Sequence, residues 1–183
     1  VIETDGSLRQ IGFLIFLITE DGEICLGGGA ADITMLGFGK DSSYQNTAEF
    51  IGAVVGLMAL VKLGVSSAGV SLRGDSTTAL GWGNDEKVSG VAALNAAIVM
   101  SSLCFQHGLE INENEFLPGV MNCKTDGLSR IIEKGTSVEA VMAAIGFGNS
   151  PIIDVSDDTA VARLIEACDP RLGVGSEEEF TRV

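Results

Sequence analysis

The stretch V1-IETDGSLRQ-IGFLIFLITE-DGEICLGGGAA31 decides the fold. Val1–Thr4 reads as a short strand that ends at the turn residues Asp5-Gly6-Ser7. Ile11–Thr19 (IGFLIFLIT) is short, rich in Ile and Phe and bounded by turn residues, which predicts a buried strand. Glu20-Asp21-Gly22-Glu23 supplies an Asp-Gly hairpin turn, and Ile24–Ala31 returns as a third strand. Gly27-Gly28-Gly29 weakens that strand or marks a bulge, and it is no phosphate loop, lacking the Lys and Ser/Thr such a loop needs.

Downstream the periodicity changes. Asn46–Leu63 is apolar nearly all round, so the spacing predicts a well-buried helix, with Asn46 as N-cap, Glu49 in its first turn and Gly64 as its stop. Gly69–Arg73 predicts a fourth strand, and Asp75-Ser76-Thr77 the start of a short helix. Val91–Phe105 predicts a second long helix, ending at Gly108. Leu109–Leu117 predicts a fifth strand, Pro118-Gly119 turns the chain, and Asn122 caps a helix running to about Glu133. The order is three strands, helix, strand, helices, strand, helix. An antiparallel start followed by alternating elements implies an α/β protein with a mixed five-stranded sheet flanked by helices.

A boundary is expected near residue 134. Residues 1–138 hold sixteen acids and eight bases, whereas 139–183 hold nine acids and three bases over a much shorter stretch. The sequence therefore divides into a core of 1–134 and an acidic helical extension of 135–183. The extension carries helical patterns at Ser137–Ala144 and Asp157–Cys168, a Gly-rich hinge at Gly146–Ser150, and a polar, loose end from Gly173 that includes Glu177-Glu178-Glu179.

Composition removes several function classes. The chain has 183 residues, 46% apolar and 20% charged, which is enough to bury a core and excludes disorder for most of it. Its longest apolar run, Gly12–Ile18, is too short to cross a bilayer, and no secretory signal is visible. An intracellular protein of the cytoplasm or nucleus, with no membrane partner, is expected. One His, His107, leaves little basis for a His-dependent hydrolase or a zinc site, and it is read as a helix-end residue. Cys25, Cys104, Cys123 and Cys168 lack metal-binding spacing and read as reduced thiols. The net charge of −14 argues against nucleic-acid binding by bulk electrostatics. Trp82 reads as a packing anchor.

What remains is carboxylate. Asp5 ends the first strand, Glu49 lies early in the first long helix, Asp75 follows the fourth strand and Asp126 lies in the first turns of the last helix. If the first and fourth strands are neighbours, their ends bring Asp5 and Asp75 together, and the helix starts deliver the other two. Singly, each acid has a simpler role: an Asp-Gly turn, a capping box with Asn46, a cap of the short helix, and a solvated acid at a helix N-terminus. Four carboxylates brought close repel one another unless divalent cations neutralise them. Two Mg²⁺ ions roughly 3.5–4 Å apart would use them for phosphoryl transfer, one activating water and the other stabilising the leaving oxygen.

Four motifs resemble the ribonuclease H family, and among its members the ribonuclease H domains of retroelement reverse transcriptases: E-T-D-G-S at 3–7, Q-N-T-A-E-F at 45–50, R-G-D-S-T-T-A-L at 73–80, and L-P-G-V-M-N-C-K-T-D-G-L-S-R at 117–130. The resemblance covers about residues 1–134. It implies an endonuclease that cuts the RNA strand of an RNA–DNA hybrid, with Asp5, Glu49, Asp75 and Asp126 binding two Mg²⁺ ions (Mn²⁺ as substitute). It also implies hybrid contacts at Gly6, Ser7, Gln45, Asn46, Ser76 and Thr77, and an upstream reverse transcriptase domain as partner. Recognition of the 2′-OH is what distinguishes RNA from DNA in such a site. There are two departures. No His stands in the loop Glu115–Pro118 before the last acid, and Lys87 is the only base between Gly81 and Ala93, beside Asp85 and Glu86. Grip on a hybrid then has to come from the metals, a few residues or an attached domain. Two other functions use the same fold: a DNA nuclease or resolvase with the same metal chemistry, and a non-catalytic scaffold, whose expected mark is loss of one of the four acids.

Overall fold

The apolar run of the second strand is continuous because both of its faces are covered. In the computed structural model, which describes residues 1–84, 87–112 and 114–172, Ile11, Phe13 and Ile15 of β2 (Gln10–Thr19) point into the main core. Leu14 and Phe16 point the opposite way into a second, smaller core with Leu128 and Met142. Strands buried on both faces lose the polar alternation of a half-exposed sheet.

β1 (Ile2–Gly6), β2 and β3 (Gly22–Asp32) form the expected antiparallel ribbon. The sheet continues in parallel through β5 (Leu72–Gly74) to β7 (Glu115–Phe116), giving the order β3-β2-β1-β5-β7. The predicted fourth and fifth strands are each interrupted. Gly69–Val70 (β4) pairs separately with Glu110–Ile111 (β6), and the register then moves by one residue before β5 meets β7. Within the interruption the Asn114 side chain replaces a backbone partner, accepting from Leu72 N at 3.0 Å.

α1 (Ser42–Lys62) lies on one face of the sheet, with α3 (Val91–His107) and α7 (Thr159–Ala167) packed beyond it. α1 begins four residues before the predicted start. Its N-cap is Asp41, which accepts from Ser43 N at 2.7 Å, so Asn46 caps nothing and Glu49 lies in the second turn rather than in a capping box. The short α2 (Thr77–Gly83) is capped by Ser76, not Asp75, through a bond from Ala79 N at 3.0 Å. Trp82 is buried edge-on against Phe50, as a packing anchor.

The opposite face carries α4 (Cys123–Ser129), α5 (Ile131–Lys134) and α6 (Val138–Ala144). The single helix expected from Asn122 to Glu133 breaks at Arg130, whose φ of −120° is not helical. The extension packs on the same cores as the rest. Ile153, Val155, Val161, Leu164, Ile165 and Cys168 belong to the main core, and Val141 and Met142 to the second. Residues 151–153 run along the free edge of β3, where Ile153 N donates to Gly28 O at 2.9 Å.

That edge contact accounts for the glycine triplet. A Cβ on Gly29 would sit 2.4 Å from Ile153 O, and one on Gly27 2.7 Å from Pro151 O. The bulge expected there is present, since the β2–β3 register shifts between Ile15 and Phe16. The polar stretch from Gly173, with its Glu run, and Asp85 and Glu86 lie outside the described residues.

Candidate active site

Asp5 sits inside β1, not in a turn after it, and pairs across the ribbon with Gly12. Its carboxylate is buried beneath α4, where Ser129 Oγ donates to Oδ2 and Asn122 Nδ2 donates to Oδ1 at 3.2 Å. Burial pushes its pKa up to about 6. The Ser129 hydrogen bond opposes that rise, and the charges of Asp75 and Asp126 add to it.

Glu49 approaches from α1. A Cβ at Gly6 would lie 2.7 Å from Glu49 N, so the absent side chain is what lets the helix backbone press against the end of β1. Gln45 Nε2 donates to Glu49 Oε1 at 3.0 Å and also to Gly6 O. Burial raises the Glu49 pKa to about 7. The hydrogen bond from Gln45 works against this, while the charges of Asp75 and Asp5 reinforce it.

Asp75 follows β5, which neighbours β1 in parallel, so the two strand ends deliver Asp5 and Asp75 to one edge of the site. The Pro118-Gly119 turn comes close to Asp75, and a Cβ on Gly119 would be 3.4 Å from Asp75 Oδ2. Among the described residues Asp75 makes no hydrogen bond or ion pair. Asp126, in the first turn of α4, is half-buried and drawn aside: Arg130 Nε lies 2.5 Å from Oδ1, and Lys134 Nζ lies 3.8 Å from Oδ2.

The four acids thus interact electrostatically, but each leans toward a local partner or stands apart. As they stand, no three Asp, Glu, His or Cys side chains among the described residues are grouped to enclose a metal ion. The donor chemistry nevertheless fits a hard divalent cation. The donors are all carboxylate oxygens, two of them are buried and hard to ionise, and the cost comes in part from mutual repulsion that a cation would remove.

The other residues singled out in the sequence divide into two groups. Ser7 is buried and its hydroxyl is committed to Gln10 O and Ser129 O, both at 2.9 Å, while Gln45 is occupied as described and Gly6 acts through its backbone. Asn46, Ser76 and Thr77 remain accessible, with Ser76 Oγ donating to Asn46 Oδ1 at 3.1 Å and bridging α1 to the start of α2.

Sequence reasoning missed Asn122, Ser129 and Arg130. The signal was present: they stand four before, three after and four after Asp126, the spacing that keeps helical residues on one side. It also missed a groove of about 590 Å³ lined by Arg9, Lys40 and Arg130 together with Ser7, Gln45 and Glu133. Its three cations come from distant segments, so no basic run announces them.

The two raised carboxyls fix a pH dependence. Between their ordinary values of 3.8 and 4.5 and their raised values of about 6 and about 7, the folded chain binds more protons than the unfolded one. Stability therefore falls as pH rises through that window. At full ionisation the loss is on the order of 3 kcal/mol per group. Denaturant melts of metal-free protein at pH 5 and pH 8 should show the higher stability at pH 5, and the opposite order would contradict this account of the site.

A five-stranded sheet with three antiparallel strands, then parallel neighbours, and helices on both faces is the ribonuclease H-like fold. In solved structures the chain is similar to RNase H1 from the halophilic archaeon Halobacterium salinarum NRC-1, with 18% identity, a TM-score of 0.56, and coverage of 74% of this chain and 97% of that one. It is also similar to the N-terminal RNase H domain of Rv2228c from Mycobacterium tuberculosis, solved as a fusion with maltose-binding protein, with 26% identity, a TM-score of 0.48, and coverage of 69% and 92%. No protein-family model matches the sequence, and no curated protein matches it.

Proposed function

We propose that the protein is a metal-dependent endonuclease that hydrolyses the RNA strand of RNA–DNA hybrids. The observation that carries this reading is the delivery of Asp5 and Asp75 to one edge by the parallel strand pair, with the charge of Asp75 adding to the ionisation cost of both Asp5 and Glu49 and that of Asp126 adding to the cost at Asp5. Capping does not account for Glu49 or Asp75, since Asp41 and Ser76 do the capping.

Asp5, Glu49, Asp75 and Asp126 would hold Mg²⁺, or Mn²⁺ in its place. The bound ions would supply an activated water and charge neutralisation at the phosphate. The protein's own side chains do the rest. Arg9, Lys40 and Arg130 attract phosphates to a groove on an otherwise acidic molecule. Asn46, Ser76 and Thr77 offer accessible hydrogen-bonding groups to a 2′-OH. Arg130 holds Asp126 in place through its ion pair.

The motif at 117–130 supports placing the chain in a retroelement polyprotein, inside the cell, with an upstream reverse transcriptase domain as partner. Among the described residues no helix is long and apolar enough to cross a membrane. Residues 1–134 then carry all four candidate acids, and 135–183 is an extension that completes the cores beneath them.

The test is cleavage of 5′-labelled RNA annealed to DNA, compared with duplex DNA, branched DNA and single-stranded RNA, with Mg²⁺ or Mn²⁺. Metal-dependent cutting of the hybrid alone is expected. Cutting of branched or duplex DNA instead would move the protein to the DNA nucleases, and metal binding without cutting of any substrate would favour a scaffold. Because a cation relieves the repulsion described above, Mg²⁺ should also raise the melting temperature more at pH 8 than at pH 5. Equal shifts at both would argue against the acids as ligands.

A further inference from the structure

We propose that Ser129 and Asn122 are positioning residues that hold Asp5 ready to take up divalent cations, with Gly12 as the socket that lets them reach it. This rests on the reading of Asp5 as a metal ligand.

The geometry begins at Gly12, the cross-strand partner of Asp5. A Cβ there would lie 2.5 Å from Leu128 Cβ and 2.7 Å from Ser129 N. Only a residue without a side chain allows α4 to lie directly on the sheet at this point. Ser129, at the end of α4, then donates to one oxygen of Asp5, and Asn122, at its start, donates to the other. One helix thus grips the carboxylate from both ends.

The two donors are themselves fixed. Asn122 Oδ1 accepts from Thr125 Oγ1 at 2.6 Å, which orients its amide, and that amide also reaches Thr4 O at 3.4 Å. The Ser129 carbonyl accepts from Ser7 Oγ at 2.9 Å. Asn122, Thr125 and Ser129 are all at most 1% exposed, so water has no ready access to replace a lost donor. An ionised carboxylate offers about four lone-pair sites, and this clamp fills two, leaving others open to cations. Donors to a ligand carboxylate set its direction and favour its charged form.

A simpler role exists for Ser129, whose hydroxyl also lies 3.2 Å from Asp126 O within its own helix. That contact would affect folding but not metal affinity, which gives the test. Mn²⁺ is titrated calorimetrically into the nucleic-acid-free protein, and each variant's melting is recorded beside it. Ser129→Ala is expected to weaken Mn²⁺ binding about 10-fold or more. Its cleavage deficit should shrink as Mn²⁺ is raised. Ser129→Cys keeps the volume with a weaker donor, and serves as the test if the alanine variant does not fold. It should bind Mn²⁺ less tightly than the parent at unchanged melting temperature. A folded variant that binds Mn²⁺ like the parent overturns the clamp. A parent protein that binds no Mn²⁺ overturns instead the reading of Asp5 as a ligand, and the clamp with it.

Discussion

Cutting the chain after Lys134 is expected to leave residues 1–134 unable to fold to the structure described, despite their containing all four candidate acids. The extension contributes Val141, Met142, Ile153, Val155, Val161, Leu164 and Ile165 to the two cores, each at most 8% exposed. Removing a single buried Leu or Ile side chain typically costs about 2–5 kcal/mol. Removing seven together, along with Cys168, strips the outer cover from α1 and α3 and from α4. It also frees the edge of β3, where the glycine triplet would present unpaired backbone with little side-chain protection. The second core suffers most directly, because Leu128 and Ile131 would lose Val141 and Met142 as neighbours, and α4 carries Asp126 and Ser129. Circular dichroism melts of the full chain and of 1–134 would decide it. A truncated chain with the parent's melting temperature would show the extension to be an independent appendage.

Asp75→Asn should separate activity from stability in opposite directions. Asp75 makes no hydrogen bond or ion pair among the described residues, and its charge raises the ionisation cost of both Asp5 and Glu49. Replacing it with the isosteric amide removes that repulsion, so the metal-free variant at pH 8 should be as stable as the parent or more stable, by up to about 1 kcal/mol. Hybrid cleavage should fall by at least roughly 10³-fold, on the order of 4 kcal/mol in the barrier, because a neutral amide is a poor ligand for a hard cation. Initial rates at saturating Mg²⁺, measured with urea melts of the same preparations, test both halves. Retained cleavage would remove Asp75 from the site. Lost cleavage with lost stability would assign it a structural role.

The elements that came out as read share one property: their signals are local. The Ile and Phe run of β2, the Asp-Gly hairpin and the all-round apolar pattern of α1 each require only neighbouring residues to be interpreted. Boundaries were displaced where two residues competed for one task. Asp41 and Asn46 are both good caps, and Ser76 and Asp75 both precede a helix, but backbone direction favoured Asp41 and Ser76. Those outcomes removed the capping explanations for Glu49 and Asp75.

The sequence by itself determined the order of strands and helices, the burial of β2 and α1, and the four acids by type and spacing, because periodicity and turn chemistry act over a few residues. Only the tertiary structure decided that Asp126 leans on Arg130 rather than on the other acids, that Asn122 and Ser129 grip Asp5 across more than a hundred residues, and that Gly12 and Gly27-Gly28-Gly29 are clearances for α4 and for residues 151–153. It also assembled the cationic groove from Arg9, Lys40 and Arg130. Hydrogen bonds and close approaches reach only a few ångströms, so which distant residues share them depends on how the sheet and helices bring them together, and no local pattern carries that information.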